Sequence, residues 1–233
     1  MRRVYGSALA LAVMLVPGMT AQAQETSKSV ANGGIMAEGW TGKVDANEEK
    51  AGKTVKDAMF MKEGAGFHAT TGPATTYWNP ANKATGNYTV KATFKEPSYM
   101  GLNDHPHPYG IVIAGNDMGT DNQSFLYCTA YGNGTYIMRG FNGSTPFQLG
   151  GRRPTEDAAV HKAAGKDQPV SQEIGIQVKG DQVSCLINGK AVISYPKSEV
   201  VGPGKLKSTD GVWGIRFAHN TEAHVADLKM TKP

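Results

Sequence analysis

The sequence lacks a hydrophobic run of the roughly 20 residues that a membrane span needs. Its longest apolar run, residues 8–16, follows Arg2 and Arg3 and precedes the small residues of 21–23. Positive charge, a short apolar run and then small residues, in that order, are typical of a secretory signal peptide. We therefore expect residues 1–23 to be a signal peptide, and the rest of the chain to be exported to a bacterial periplasm or beyond, without a membrane span.

Charge of one sign is also scarce. The chain has 24 Lys and Arg against 20 Asp and Glu, and loss of Arg2 and Arg3 with the signal peptide lowers this surplus by two. Binding of a nucleic acid is driven by many clustered Lys and Arg contacts to phosphates. No such cluster occurs, so the sequence argues against nucleic acid as a partner.

Cysteine is limited to Cys128 and Cys185, and each lies within a strand-like pattern. Export to an oxidising compartment would permit a disulfide between them, provided that neighbouring strands of one sheet bring them close enough. Two buried thiols that pack as small apolar side chains are an equal alternative. Both alternatives stay open at this point.

Motifs of several enzyme classes are absent. The sequence contains no Gly-x-Ser-x-Gly, no His-Glu-x-x-His, no phosphate-binding glycine loop and no dinucleotide fingerprint. These patterns accompany serine hydrolases, zinc proteases and nucleotide-binding proteins. Those three classes are accordingly excluded.

The clearest feature that is present is an alternating pattern over residues 172–195. Apolar and polar residues alternate in three short runs, separated by Gly180-Asp181 and Asn188-Gly189. A period of two predicts strands with one polar face, and Asn-Gly supplies the positive φ angles of a type I′ hairpin turn. Residues 172–195 therefore predict an antiparallel meander.

Similar short patterns recur along the chain. We predict a flexible segment over residues 24–37 and one all-β domain over residues 38–233, with about a dozen strands that form a two-sheet antiparallel sandwich. Tyr109 begins a nearly continuous apolar strand, which belongs in the middle of a sheet that is covered on both faces. Residues 155–160 predict one or two capped helical turns.

These residues resemble the concanavalin A-like jelly-roll group, which includes laminin G-like modules, legume lectins and laminarinase-type glycosidases. The resemblance is carried by the strand, turn, strand and Asn-Gly-Lys pattern of residues 176–192, and by residues 210–219 and 227–230. Within the group, the chain is similar to secreted bacterial domains of the keto-disaccharide hydrolase-like, family-sixteen-like type, through its His-Pro loop at 105–108, Gln123 and the Gly132-Asn133-Gly134 turn. The resemblance implies a jelly-roll fold and a carbohydrate ligand.

One departure from the group concerns catalysis. Laminarinase-type enzymes carry two catalytic glutamates on one strand in a Glu-x-Asp-x-Glu pattern, which directs both carboxylates into one cleft. This pattern is absent here, and the adjacent Glu156 and Asp157 would point to opposite faces of a strand. The retaining mechanism of those enzymes is therefore not expected.

Polar residues in strands and stiff loops are the candidate ligand contacts. His105 and His107 lie in a proline-rich loop, and Arg139 and Arg216 lie in apolar strands, where an unpaired charge would be costly. A metal at the two histidines would need at least a third ligand. The predicted ligand-binding residues are His105, His107, Tyr109, Gln123, Arg139, Arg216 and His219.

Aromatic and acidic side chains supply further candidates. Tyr77, Trp78 and Tyr99 lie near loops and are candidates for stacking on sugar rings, although aromatic residues in a sandwich are more often part of the core. Asp117 and Asp121 lie in a polar loop with the oxygen ligands that Ca²⁺ prefers. They are weak candidates for structural calcium, because an ordinary turn explains them as well; no cofactor is otherwise predicted.

Three functions remain open. The first is an exported carbohydrate-binding sandwich with no catalytic motif. The second is a glycoside-acting hydrolase that uses the loop histidines. The third is a protein-interaction domain of the cell envelope.

Overall fold

The computed structural model describes Met1 and residues 25–233. The predicted signal peptide, residues 1–23, lies outside the described residues except for Met1. Within the described part, the two α-helices are α1 (Ala46–Lys50) and α2 (Lys197–Val200), and neither has the length or the apolar character needed to cross a bilayer.

The described residues form a sandwich of two sheets, and the predicted all-β, two-sheet jelly-roll fold is confirmed. Sheet A contains β1 (Gly34–Ile35), β3 (Met59–Glu63), β4 (Gly66–Thr71), β6 (Tyr88–Glu96), β12 (Val170–Lys179), β13 (Gln182–Ile187), β14 (Lys190–Pro196) and β16 (Thr221–Thr231). Sheet B contains β2 (Thr41–Val44), β5 (Thr75–Ala84), β7 (Tyr109–Asn116), β8 (Ser124–Ala130), β9 (Thr135–Asn142), β10 (Thr145–Gln148), β11 (Thr155–Glu156) and β15 (Gly211–Phe217).

The strand order is β1-β3-β4-β16-β6-β12-β13-β14 in sheet A and β10-β9-β8-β7-β15-β5-β2 in sheet B, with β11 also paired to β9. All pairs are antiparallel except β1 with β3. The meander predicted over residues 172–195 is β12-β13-β14. Asn188 and Gly189 have φ angles of 49° and 81°, as a type I′ turn requires.

Alternation places one apolar face of each sheet in a shared core. In sheet A, Ile174, Ile176 and Val178 of β12 point inwards and are at most 1% exposed. Inward-facing residues of sheet B, such as Leu126, pack against them in one cluster. Burial of this apolar surface is the main force that holds the two sheets together.

Sheet B is also buried on its outer face. Every residue of β8 is buried, because Leu126 and Cys128 face the core while Phe125 and Tyr127 face the other way. Phe125 and Tyr127 join Val112 and Ile137 in a second apolar cluster. The prediction that the strand beginning at Tyr109 lies in the middle of a sheet covered on both faces is confirmed, since β7 lies between β8 and β15 and is buried except at its last residue.

Cys128 and Cys185 form a disulfide, with Cα atoms 5.8 Å apart. The sequence left a disulfide and two buried thiols open as alternatives, and neighbouring strands of one sheet were the arrangement considered for a bridge. In the structure, β8 belongs to sheet B and β13 to sheet A. Both residues point into the core and are fully buried. The disulfide therefore crosses the core and links the two sheets covalently.

Two local expectations differ from the structure. Residues 25–37, expected to be flexible, are tied to the sandwich: the backbone N–H of Val30 donates to Asp57, and that of Met36 donates to Phe60. Of residues 155–160, expected to form capped helical turns, Thr155 and Glu156 form the short strand β11, which pairs with β9. A single turn remains at residues 157–160, where the Val160 N–H donates to the Asp157 carbonyl and the Ala159 N–H to the Asp157 carboxylate. Pairing with β9 outweighs the weak local helix signal at residues 155 and 156.

Candidate functional site

A groove lies on the outer face of sheet B, and the register of four strands sets its floor. Arg216 of β15 is opposite Gly110 of β7, Gly110 is opposite Thr129 of β8, and Thr129 is opposite Ile137 of β9. Gly110 has no side chain, so Arg216 can extend over β7. Its guanidinium carbon lies 5.0 Å from the ring centroids of both Tyr127 and Phe141, a distance suited to a cation–π interaction.

Asp45 neutralises Arg216. The two guanidinium nitrogens donate to the two Asp45 carboxylate oxygens at 2.7 and 2.5 Å, and one also donates to the Thr76 hydroxyl at 2.9 Å. Burial alone would lower the pKa of Arg216, but the Asp45 carboxylate outweighs it and raises that pKa, so the arginine stays charged. The ion pair thus fixes a positive, planar group against the groove floor.

Arg139 provides a second guanidinium on the same face, but unlike Arg216 it has no carboxylate partner among the described residues. It is opposite Tyr127 across β8 and β9, and one of its terminal nitrogens donates to the Arg152 carbonyl. Its Nε is buried without a hydrogen-bond partner, and no carboxylate of the described residues lies within 4.0 Å of it. Arg139 therefore adds to this face a positive charge that no carboxylate of the described residues neutralises.

Tyrosines surround these arginines. Burial raises the pKa of the Tyr131 hydroxyl to about 12 and also raises that of Tyr127, although Arg139 opposes the shift in both. Both phenols therefore stay protonated and keep an O–H donor near neutral pH. The cleft has a volume of about 380 Å³ and is lined by Asp45, Ala74, Pro108, Tyr127, Thr129, Tyr131, Ile137, Arg139, Phe141, Pro146, Arg216, Ala218 and His219.

The groove continues beyond this cleft in both directions. Asp45 and Phe141 also line a small depression that contains Gln123, and Lys43 links that depression to a larger cleft of about 710 Å³. The larger cleft is lined in part by Trp78. At the other end, Tyr131 is shared with a hollow formed by Pro106, Asn133 and Arg153. The outer face of sheet B thus presents a long, interrupted groove.

Three histidines meet at the edge of the cleft. His219 lines the cleft, and its ring centroid is 4.1 Å from that of His107 and 6.4 Å from that of His105. Burial lowers the pKa of His107 to about 4 and also lowers that of His219. Both are therefore neutral near pH 7 and can act as hydrogen-bonding groups or metal ligands.

Two groups of side chains have the composition of a metal site. Glu25, His105 and His107 each offer one ligand atom within 4.8 Å of the other two, and so do Glu63, His68 and His224. The first group adjoins the groove, while the second lies on the outer face of sheet A. Glu25 and Glu63 were not among the residues predicted from the sequence.

The structure brings together most, but not all, of the predicted ligand-binding residues. Arg139, Arg216 and His219 line one cleft, while His105 and His107 pack beside His219. Gln123 lines the adjoining depression, where its side-chain oxygen accepts a hydrogen bond from the backbone of Gly119 at 3.2 Å.

Tyr109 and Tyr77 do not reach the groove. Both are fully buried in the core between the sheets, so a ligand on the surface cannot contact their rings. Trp78 borders the larger cleft but is only 5% exposed. Tyr99 packs against Gly132 and forms backbone hydrogen bonds with residues 167 and 168, away from the cleft lining.

Asp117 and Asp121 do not form a common cation site among the described groups. The Asp117 carboxylate pairs with Lys207, and the Asp121 carboxylate lies 3.6 Å from the Lys43 amine. Each negative charge is therefore already matched by a lysine. The suggested structural calcium gains no support from this arrangement.

Sequence reasoning missed Asp45, Tyr127 and Phe141 as groove residues. Asp45 precedes α1 and is distant in sequence from Arg216, so their pairing depends on the fold. A signal for Tyr127 was present: Phe125, Tyr127, Thr129 and Tyr131 alternate with Leu126, Cys128 and Ala130. A strand that is apolar on both faces predicts a covered outer face.

Comparison with known proteins supports the fold. No protein-family model matches the chain, and no curated protein matches its sequence. Among solved structures, the carbohydrate-binding module CBM66 from Bacillus subtilis is similar with a TM-score of 0.56 and 8% identity, over 85% of this chain and 100% of that one. A Bacillus subtilis protein of unknown function with a galectin-like fold is similar with a TM-score of 0.54 and 14% identity, over 83% of this chain and 89% of that one. The concanavalin A-like jelly-roll fold expected from the sequence is thus confirmed.

Proposed function

We propose that this chain is an exported carbohydrate-binding protein whose ligand lies in the groove on the outer face of sheet B. The observation that carries the proposal is the meeting of Arg139, Arg216, Tyr127 and Tyr131 around one cleft of about 380 Å³. Flat rings stack against the apolar C–H faces of sugars, and guanidinium and phenol groups donate to sugar hydroxyls. Ligand pockets in general combine an apolar lining with a few such polar groups.

The extent of the groove favours a chain of sugars over a single one. The central cleft is joined to further hollows through shared lining residues, including Lys43, Asp45 and Tyr131. A ligand that spans several hollows gains contacts at each of them. The class of ligand proposed is therefore an oligosaccharide or polysaccharide, and CBM66 is a structural neighbour that is itself named as a carbohydrate-binding module.

The shortage of acidic residues in the central cleft favours binding of a sugar over its hydrolysis. Glycosidases of the usual type need two carboxyl groups, about 5–10 Å apart, on either side of the scissile bond. Among the described residues that line the central cleft, Asp45 is the one acid, and Arg216 occupies both of its oxygens. The cleft therefore lacks a free carboxylate pair, and no observation specifically favours the hydrolase or the envelope-interaction alternative.

The test is a glycan array followed by calorimetry, with the secreted chain and plant, fungal and bacterial polysaccharides. Arg139→Met keeps the aliphatic stem but removes the charged donors, so we expect about 10-fold weaker binding, which corresponds to the loss of one charge-assisted hydrogen bond of about 1.5 kcal/mol. Lys91→Met, on the outer face of sheet A, is the matched control and should bind as the wild type does. Absence of binding to all these polysaccharides, or equal losses in the two variants, would reject the proposal.

A further inference from the structure

His105 and His107 face each other through their Nε2 atoms, which are 2.7 Å apart. On the opposite side of each ring, Nδ1 contacts an oxygen. Nδ1 of His107 lies 2.6 Å from the carbonyl oxygen of His219, with the Asn103 side-chain amide also nearby at 2.9 Å. Nδ1 of His105 lies 2.6 Å from a carboxylate oxygen of Asp104.

These contacts determine the tautomers. A carbonyl oxygen and an ionised carboxylate can only accept hydrogen bonds, so both Nδ1 atoms carry the proton and donate it. The Asn103 NH₂ nitrogen is itself a donor, and it donates to the Asn220 carbonyl at 2.7 Å. In a neutral imidazole, the other nitrogen then has a lone pair and no proton. The two Nε2 atoms therefore present lone pairs to each other, and this contact is repulsive unless a cation lies between them.

A metal ion between the two Nε2 atoms explains these contacts better than an added proton does. A histidine that ligates a metal through one nitrogen almost always donates its other N–H to a carboxylate or a backbone carbonyl, and both kinds of partner are present here. Glu25 adds a carboxylate: each of the three residues offers one ligand atom within 4.8 Å of the other two, and Oε2 of Glu25 lies 4.0 Å from Nδ1 of His105. Its negative charge would offset the positive charge of an ion, and His107, at 7% exposure, provides a rigid ligand.

We propose that Glu25, His105 and His107 form a binding site for a divalent transition-metal ion of the zinc class. Imidazole nitrogens with one carboxylate are typical ligands of such ions, and three protein ligands leave a coordination position open. Zn–N distances of about 2.0–2.1 Å in tetrahedral geometry place two nitrogens about 3.3 Å apart. The His105 side chain, which is 51% exposed, has room for the small movement that this distance requires.

The position of the site suggests its use. His219 lies between the two histidines and the central cleft, and Pro106, between His105 and His107 in sequence, lines the hollow at the end of the groove. An ion bound by His105 and His107 would hold Pro106 between two fixed residues and so order the 105–107 loop at the end of the groove. The ion and its open coordination position would lie close to this end of the groove. The metal site does not depend on the proposed sugar ligand, because its residues and its test are separate.

The group on sheet A provides a matched comparison. His68 and His224 are opposite each other on β4 and β16, and their rings stack with centroids 4.4 Å apart. There, Nε2 of His68 is 2.9 Å from Glu222 and Nδ1 of His224 is 2.6 Å from Glu63. Each of these nitrogens donates to its own carboxylate, so no two nitrogen lone pairs face each other and no ion is needed between the rings.

The experiment is calorimetric titration of ZnCl₂ into the secreted chain, purified without a histidine tag and freed of metal by a chelator. We expect saturation at one ion per chain, since both cysteines are in the disulfide. His105→Gln removes an exposed ligand without disturbing the core, and should weaken binding by at least 10-fold; His224→Gln should leave it unchanged. With Co²⁺ as the probe, visible absorption of tetrahedral intensity should appear in the wild type and be lost in His105→Gln.

Either of two results would overturn the proposal: no saturable binding of Zn²⁺ by the wild-type chain, or saturable binding that His224→Gln abolishes and His105→Gln does not. The circular dichroism spectrum of each variant, compared with that of the wild type, verifies that the fold is retained. A failure of the sugar proposal would leave these outcomes unaffected.

Discussion

The two outer faces of the sandwich have different chemistry, although both sheets pack against the same core. On sheet A, the outward residues of β6 and β12 include Thr89, Lys91, Thr93 and Glu173, and the Lys91–Glu173 ion pair is more than one-third exposed. On sheet B, the corresponding positions hold Phe125, Tyr127, Ile137 and Arg216, all at most 7% exposed.

This difference indicates where the chain has a specific task. A solvated face needs only polar side chains to keep the sheet soluble, and sheet A meets this need with Lys, Thr and Glu. Aromatic rings and a buried ion pair on an outer face require loops to cover them, and they leave a groove between those loops. Burial of an ion pair on an outer face costs desolvation free energy, and binding of a ligand in the groove would explain why the chain keeps this arrangement.

The largest expected effect comes from breaking the ion pair of the groove. Asp45→Ala leaves the buried Arg216 charge unpaired, and should lower the free energy of unfolding by about 3–5 kcal/mol. Glu173→Ala breaks the exposed pair on sheet A, and should cost less than about 1 kcal/mol. Urea denaturation followed by tryptophan fluorescence measures both.

A double variant tests whether the unpaired Arg216 charge causes the loss of stability in Asp45→Ala. Replacement of both partners, as Asp45→Leu with Arg216→Met, removes the unpaired charge and should recover much of the stability lost in Asp45→Ala. If the double variant is no more stable than Asp45→Ala, or if Glu173→Ala costs as much as Asp45→Ala, the two faces do not differ as described.

The disulfide between the sheets should have the next largest effect. Cys128 and Cys185 are 57 residues apart in sequence, and removal of a native disulfide typically costs about 2–5 kcal/mol. Cys128→Ala with Cys185→Ala should therefore lower the unfolding free energy by this amount. The free energy measured for the wild type under reducing conditions should match that of the double variant; wild-type stability that is unaffected by reductant would contradict the bridge.

An acid on the inner side of sheet A should make stability depend on pH. Burial raises the pKa of Glu96 to about 7, so the folded chain binds this proton more tightly than the unfolded chain does. The contribution of Glu96 is complete below about pH 4.5 and is lost as the pH rises to about 7, a loss of about 3 kcal/mol.

Replacement of Glu96 isolates this contribution. Glu96→Gln keeps the oxygen that accepts from the Met100 backbone and should make the chain more stable at pH 8 by up to about 3 kcal/mol, with little change at pH 4.5. Glu173→Gln, at the partly exposed ion pair of the outer face, is the matched control for removal of a surface carboxylate. Parallel stability curves for wild type and Glu96→Gln from pH 4.5 to 8 would contradict the buried acid.

The smallest expected effect separates packing from binding within the groove. Thr129 lines the cleft, but its hydroxyl is buried without a hydrogen-bond partner among the described residues. Thr129→Val removes this unsatisfied group and should raise the unfolding free energy by up to about 1 kcal/mol. Sugar affinity should stay unchanged, because the buried hydroxyl lies out of reach of a ligand; a fall in affinity would show that this hydroxyl contacts the ligand.

Sequence patterns predicted the sandwich because strand alternation and turn residues are local signals. Asn188-Gly189 favours a type I′ turn through its own backbone preferences, whatever surrounds it. The alternation of Ile174, Ile176 and Val178 likewise defines the inner face of its strand, whichever sheet packs against it. At residues 155–160 the local signal predicted the capped turn at 157–160 but not the strand at 155 and 156, because that strand forms only by pairing with β9.

The groove was only partly predictable for the same reason. Arg139, Arg216 and His219 were identified as unusual charges or loop residues, which sequence alone reveals. Asp45, the partner of Arg216, and Glu25, which lies beside His105 and His107, are distant from them in sequence and become neighbours only through the sandwich. Tyr109 shows the converse error: its position in an apolar strand did not reveal which face it occupies.

The most direct test of the central claim maps the ligand onto one of the two faces. An NMR titration of the isotope-labelled chain with an oligosaccharide that the array identifies as a ligand reports on every backbone amide. Shift changes concentrated in β8, β9 and β15 and in the loop after Phe217, with little change in β6 and β12, are the result that we predict. Changes concentrated in β6 and β12 would place the ligand on sheet A and contradict the account.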